Sequence, residues 1–122
     1  MNLNDIIERF TLVSGLTMSE ASRYLPLMTD CKEFFEEKLP ADLTPAQQKR
    51  ISHACAVYAY YRVCMLMRDG GYETFKAGDV QISAAKLGEL CEAAQRMWNE
   101  ERRVIADIAA FDDGFAFRSV MI

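Results

Sequence analysis

The sequence contains little of what metal sites and common catalytic motifs require. It has one histidine, His53, and four cysteines, none of them arranged as CxxC. The phosphate-binding patterns GxGxxG and GxxxxGK and the nucleophile pattern GxSxG are all missing. Neighbouring acids such as Glu36 and Glu37 point in different directions on a helix, so they do not form facing carboxylates. We therefore expect no catalytic residue, no metal and no cofactor, and His53 is predicted to be a partly exposed helix residue.

The cysteine spacing also disfavours a disulfide framework. Cys55 and Cys64 are nine residues apart on one predicted helix and therefore point to opposite sides. In a reducing compartment, small unpaired cysteines usually act as buried apolar residues. We predict four buried free thiols, at Cys31, Cys55, Cys64 and Cys91.

A basic face is lacking as well. The chain has 14 Lys and Arg against 18 Asp and Glu, and a net charge of -4. This balance disfavours a nucleic-acid binder that works by neutralising phosphates. The first ten residues lack the basic and long apolar regions of a signal peptide, so a cytoplasmic protein is expected. A length of 122 residues with 51% hydrophobic residues predicts one folded domain over 1–122.

The most informative stretch that is present covers residues 54–67, ACAVYAYYRVCMLM, with a single charge at Arg62. Thr44 and Gln47 form a predicted capping box, with Pro45 at the first helical position. These signals predict a central helix over residues 45–69, apolar around its second half. Its uncharged run is too short for a membrane span, so the helix should be packed on several sides. Six residues are predicted to be largely buried: Ala56, Val57, Ala59, Tyr60, Val63 and Leu66.

Apolar residues at helical spacing predict further helices on both sides of the central one. They cover residues 2–14, 18–25, 27–39 and 84–109, with a break at Pro26. In the last helix, an apolar stripe steps by three and four residues and has one charged member. The stripe consists of Leu87, Leu90, Ala94, Met97, Glu101, Val104 and Ile108.

Two stretches lose the helical period. Residues 71–83 surround a plausible turn at 77–79 and are read as a short β-hairpin or extended loop. The last eight residues, FAFRSVMI, include six apolar ones on a segment too short to form its own core. This tail either pairs with the 72–83 loop or with a neighbouring chain. The predicted fold is mainly α: a small helical bundle around a long central helix, with the hairpin or loop and a C-terminal extended arm.

Two charges interrupt otherwise apolar faces. Arg62 lies alone in the central stretch, where it could reach solvent or pair with an acid across a helix interface. Glu101 is the one charge in the stripe of the last helix. We predict that Arg62 and Glu101 form a buried ion pair, because two such interruptions cost least when they meet.

This layout resembles the head–tail connector (adaptor) proteins of tailed bacteriophages and prophages. The resemblance covers nearly the whole chain and is one of pattern. A helix ending in Lys-Leu-Pro at 38–40 precedes the long alanine- and tyrosine-rich helix, and FKAGDV at 75–80 precedes the second long helix. The tail then begins with GFAFR at 114–118.

The resemblance implies a non-enzymatic structural protein whose copies form a ring beneath the portal of the capsid. The ring would extend the DNA channel and contact tail-completion proteins, with DNA only as non-specific cargo and no membrane contact. The protein would be cytoplasmic and, in an active phage, a virion component. The implied interface lies in the 72–83 loop and the 114–122 arm. Its candidate residues are Tyr72, Phe75, Lys76, Asp79, Val80, Ile82, Phe115, Phe117, Arg118, Val120 and Ile122.

Two other readings fit the residues. The first is a small cytosolic helical protein-binding module that dimerises through the 87–108 stripe. The second, more distant, is an enzyme with a pocket lined by Tyr58, Tyr60 and Tyr61. Core packing, with the hydroxyls reaching polar edges, is favoured over such a pocket.

Overall fold

The computed structural model describes residues 1–70 and 84–111, and within these ranges the chain is mainly helical. The helical fold class is therefore confirmed. The predicted hairpin and the C-terminal arm lie outside the described residues. The elements in chain order are α1 (Leu3–Ser14), α2 (Met18–Ala21), a 3₁₀ turn (Ser22–Tyr24), α3 (Leu25–Glu36), α4 (Pro45–Gly70) and α5 (Ala84–Val104).

The helix starts lie where local hydrogen-bonding groups place them. The backbone N–H of Gln47 donates to Thr44 Oγ1 (3.1 Å), and the N–H of Thr44 donates to Gln47 Oε1 (2.9 Å), which completes the predicted capping box of α4. Thr17 and Glu20 form the same reciprocal pair at the start of α2. Helix α1 ends at Gly15, whose φ of 76° is the left-handed conformation that glycine adopts most easily.

The chain around Pro26 differs from the prediction in detail. A break is present, but it is a 3₁₀ turn at Ser22–Tyr24, and α3 already begins at Leu25. Pro26 then lies in the first turn of α3, where its missing N–H would have had no helical partner in any case. Helix α3 ends at Glu36, and residues 37–39 continue as turns.

Helix α4 is the central element, as predicted, and its start and end agree with the prediction to within one residue. It packs against α1, α3 and α5. The side chains that it buries give the continuous apolar surface expected of a helix covered on several sides. Four of the six residues predicted to be buried are buried: Ala56, Val57, Ala59 and Val63.

The prediction was wrong for Leu66 and only partly right for Tyr60. Leu66 is 53% exposed, and Tyr60 is half-buried. Helix α5 contacts α4 at Cys64, where the Cys91 thiol donates to the Cys64 carbonyl (3.1 Å). Leu66 lies two residues further along, about 200° around the helix, and therefore points away from α5.

Helix α5 is shorter than predicted and uses a slightly different face. It ends at Val104 and is followed by turns, with the N–H of Ile108 donating to the carbonyl of Ile105. Trp98 and Ile105 are buried, whereas Val104 of the predicted stripe is 47% exposed. A straight helix repeats every 3.6 residues, so a stripe drawn at 3.5 drifts off the buried face after a few turns. The buried face of α5 consists of Leu87, Cys91, Ala94 and Trp98, and it is continued after the helix by Ile105 and Ala109.

An aromatic cluster joins α3, α4, α5 and the residues after α5. Phe35, fully buried, lies 4.5 Å from Phe111, 5.8 Å from Tyr58 and 5.8 Å from Trp98 between ring centroids. Phe34 stacks on Tyr58 at 5.6 Å. Such pairs contribute about 0.5–1.5 kcal/mol each beyond the area they bury. We call Phe34, Phe35, Tyr58, Trp98 and Phe111 the aromatic cluster.

In the described part of the chain, none of the helices combines the length and the apolar character that a membrane crossing would need.

Candidate functional site

The eleven interface residues implied by the resemblance all lie in 71–83 and 112–122, outside the described residues. Their proposed role therefore stays a prediction. The described residues do place the remaining candidates: the Arg62–Glu101 pair, the cysteines and His53.

The predicted Arg62–Glu101 pair does not form in the structure. The Arg62 guanidinium donates to the Tyr58 hydroxyl (3.3 Å) and lies 5.8 Å from the centre of that ring. Glu101 lies at the level of His53, because α5 runs antiparallel to α4. His53 and Arg62 are nine residues apart, or about 14 Å along the helix. Arg62 therefore follows the other of the two predicted options: it reaches the surface, beside the Tyr58 ring, instead of forming an ion pair.

A double-mutant cycle tests this correction. The Arg62→Met and Tyr58→Phe substitutions should show a coupling energy of about 0.5–1 kcal/mol, because Tyr58→Phe keeps the ring but removes the hydroxyl that accepts the hydrogen bond from Arg62. The Arg62→Met and Glu101→Gln pair should show none. Chemical denaturation of the single and double variants measures both values. Coupling between Arg62 and Glu101 above the experimental error would contradict the structure.

All four cysteines are buried free thiols, as predicted. Besides burial, the Cys31 thiol on α3 raises the pKa of Cys55 on α4. In the same way, the Cys91 thiol on α5 raises the pKa of Cys64 on α4. Burial raises the pKa of the Cys31 and Cys64 thiols to about 12 and that of Cys55 well above its ordinary range. Among the described residues, no group of three or more His, Cys, Asp or Glu side chains could hold a metal ion. The raised pKa values keep Cys31, Cys55 and Cys64 protonated at neutral pH, and all four buried thiols are assigned to packing.

The raised thiol pKa values predict a loss of stability in mild alkali. Above the ordinary pKa of 9.0, the unfolded chain releases thiol protons that the folded chain keeps up to about pH 12. The free energy of unfolding should therefore fall as pH rises, by about 1.4 kcal/mol per buried thiol between pH 8 and pH 10. Urea denaturation in excess reductant at several pH values measures the slope. A Cys31→Ala variant should decline less steeply, and identical slopes would contradict the assignment.

One open pocket in the described part of the chain combines several charged side chains. It lies where α1, α4 and α5 meet and has a volume of about 230 Å³. We call it the basic cleft; it is lined by Arg9, Lys49, Arg50, His53, Glu101 and Val104. Lys49, Arg50 and His53 occupy adjacent turns of α4, and their side chains lie close to Arg9 of α1.

Arg50 has a structural role at one side of the basic cleft. Its guanidinium donates to the backbone carbonyl of Val104 and lies 3.4 Å from the Asp107 carboxylate. The last carbonyls of a helix have no partner within the helix, and a cation there is favourable. Arg50 therefore fastens the C-terminal end of α5 to α4. Its charge is shared with Asp107.

The basic cleft is the site that the sequence analysis missed. His53 was predicted to be a partly exposed helix residue, and it is half-buried. Arg9 precedes Lys49 by 40 positions, so no sequence spacing links the two. The only local signal was Lys49-Arg50 followed by His53 on one helix. The cleft can bind an anion, but its side chains include no paired base and nucleophile.

No protein-family model matches the chain, and no curated protein or solved structure is significantly similar to it.

Proposed function

We propose that this protein is a non-enzymatic structural component, a head–tail connector of a tailed phage or prophage. Copies of the chain would form a ring beneath the portal, with DNA passing through as cargo. The chain would bind itself, the portal and tail-completion proteins through residues 72–83 and 114–122. It would be made in the cytoplasm and incorporated into virions when the phage is active.

The observation that carries the proposal is the sequence layout together with the confirmed helical frame. The resemblance requires a short N-terminal helix, a long central helix and a second long helix on either side of FKAGDV, and α1, α4 and α5 supply these elements. The GFAFR stretch then follows the last helix in sequence. The fold is compatible with many functions, so the layout supports the role only by resemblance.

The aromatic cluster supports a separate role for the tail. Phe111, 7% exposed, is its last member along the chain, and it packs on Phe35, Trp98 and Phe34. Residues from α3, α4 and α5 thus already meet before residue 112. The proposal assigns the six apolar residues in 115–122 to contacts with a second chain.

The alternative of a dimeric binding module receives less support. It required the 87–108 stripe to face a second copy. Leu87 and Ala94 of that stripe are buried in the core of this chain, with α5 packed against α4.

Removing residues 114–122 tests the proposal. The shortened chain keeps Phe111, so its helix content and melting temperature should stay close to those of the full chain. Assembly with itself or with a phage portal protein should be lost, because main-chain pairing and burial of Phe115 and Phe117 are removed. Light scattering over a range of concentrations measures assembly, with and without the portal. A full-length Phe115→Ser/Phe117→Ser variant tests the apolar contacts alone.

A different outcome of the truncation would contradict the connector proposal. If the shortened chain melts many degrees lower and the full-length protein never assembles, the tail is an internal strand. The connector proposal would then be wrong. A dimer whose mass is independent of concentration, with or without the tail, would instead support the binding module.

A further inference from the structure

The basic cleft has more positive than negative charge in a chain whose net charge is -4. Arg9, Lys49 and Arg50 face the single carboxylate of Glu101. Even when Arg50 is counted as the partner of Asp107, the cations Arg9 and Lys49 and the His53 imidazole are balanced only by Glu101. The surface is therefore locally reversed in sign relative to the whole chain.

Two of these cations lack a protein partner in the part of the chain that the structure describes. Neither Arg9 nor Lys49 lies within 4.0 Å of a carboxylate oxygen among residues 1–70 and 84–111. Glu101 is close enough to line the same pocket but not to pair with either. The two charges on α1 and α4 are thus free to act on a bound group.

The shape of the cleft suits one compact anion. A volume of about 230 Å³ leaves room for a tetrahedral oxyanion and several waters, since one water takes about 30 Å³ in the liquid. The guanidinium of Arg9 can donate two parallel hydrogen bonds to an oxyanion, and Lys49 adds a flexible ammonium donor. The His53 imidazole supplies a further N–H.

A long polyanion fits this surface less well. Two acids lie at the α5 side of the cleft: Glu101 lines it, and Asp107 lies 3.4 Å from Arg50, which also lines it. A nucleic-acid backbone would bring successive phosphates against these carboxylates, whereas a single group need only meet Arg9 and Lys49.

We propose that the basic cleft binds a single oxyanion, the phosphate or carboxylate group of a small ligand, between Arg9, Lys49 and His53. This site does not depend on the connector role, because it uses none of the residues in 72–83 or 114–122. Glu101 acts as the competing charge in the cleft and limits the affinity for anions.

Nuclear magnetic resonance on the full chain tests the proposal directly. His53 is the only histidine, so its ring Cε1–H gives one assignable signal inside the cleft. Titration with sodium phosphate at constant pH and ionic strength should shift this signal along a saturating curve. Sodium sulfate and sodium glutarate distinguish a phosphate-like ligand from a carboxylate, and sodium chloride is the reference.

Substitutions with opposite expected signs make the test specific. Arg9→Gln/Lys49→Gln should weaken phosphate binding on the order of tenfold, because two charge-assisted contacts are lost at a partly exposed site. Glu101→Gln should strengthen it roughly two- to fivefold by removing a repulsive charge. Arg96→Gln, an exposed cation of α5 that does not line the cleft, should leave it unchanged.

Several results would overturn the site. One is a His53 shift that does not saturate or that chloride reproduces. Another is equal phosphate affinity in the wild-type chain and the Arg9→Gln/Lys49→Gln variant, once unchanged melting shows that both are folded. Weaker binding in Glu101→Gln would contradict the role given to that acid. Saturable binding of duplex DNA, without any response to the small anions, would replace the oxyanion site with a nucleic-acid surface.

Discussion

Replacing Val63 with aspartate should lower the free energy of unfolding by about 3–5 kcal/mol. Val63 is 1% exposed in α4, the helix that α1, α3 and α5 all contact. The new carboxyl group would lose its water without gaining a partner, and either its charge or its protonation then costs free energy. Domains of this size have total stabilities of about 5–15 kcal/mol, so a large part of the stability would be lost.

The matched control for Val63→Asp is Leu66→Asp, three residues further along the same helix. Leu66 is 53% exposed, so the same new charge would stay hydrated, and the cost should be below about 1 kcal/mol. Urea denaturation of the two variants compares burial directly, because helix and substitution type are shared. Equal losses of unfolding free energy in the two variants would show that Val63 is not buried as the structure describes.

Truncation of Phe35 to alanine should be comparably damaging, at about 3–5 kcal/mol. Phe35 is fully buried, and its ring contacts Tyr58, Trp98 and Phe111, so its removal leaves a cavity between three helices. The surrounding rings are large and belong to different elements, and they can close such a cavity only in part. Loss of near-UV circular dichroism from Trp98, with a lower denaturation midpoint, would report the effect.

Phe34→Ala is the control for Phe35→Ala. Phe34 is half-buried beside Lys38, whose Nζ lies 5.2 Å from the ring centre, and it is adjacent to Phe35 in sequence. Its removal should cost about 1–2 kcal/mol, because part of its surface is already in water. If Phe34→Ala were the more damaging change, the aromatic cluster would not be centred on Phe35.

Local chemistry was sufficient to predict where α2 and α4 begin. The Thr44–Gln47 and Thr17–Glu20 capping boxes depend on groups three residues apart, and both are present. The apolar run of α4 also predicted burial on several sides, because a helix with no polar face is unstable in water alone. The end of α3 was less predictable, because its last turn has no comparable signal.

The buried face of α5 depended on more than local sequence. The stripe drawn at a repeat of 3.5 residues passes through Met97 and Val104, whereas a straight helix packed within one chain buries Trp98 and Ile105. The sequence contains both sets of apolar residues. Only packing against α4 decides between them, because the choice depends on the direction of the helix axis relative to its neighbour.

The sequence by itself determined that this protein is helical, that α4 is its centre and that its cysteines are free. The first two follow from hydrogen bonds and apolar periodicity within a few turns, and the third follows from the spacing of the cysteines along the chain. Only the tertiary structure decided that Arg62 lies on Tyr58 rather than beside Glu101, and that Arg9 joins Lys49 and His53 around one cleft. Those neighbours are set by the antiparallel register of α5 on α4 and by the docking of α1. Register and docking depend on how whole surfaces fit, and residue spacing along a single chain does not contain that information.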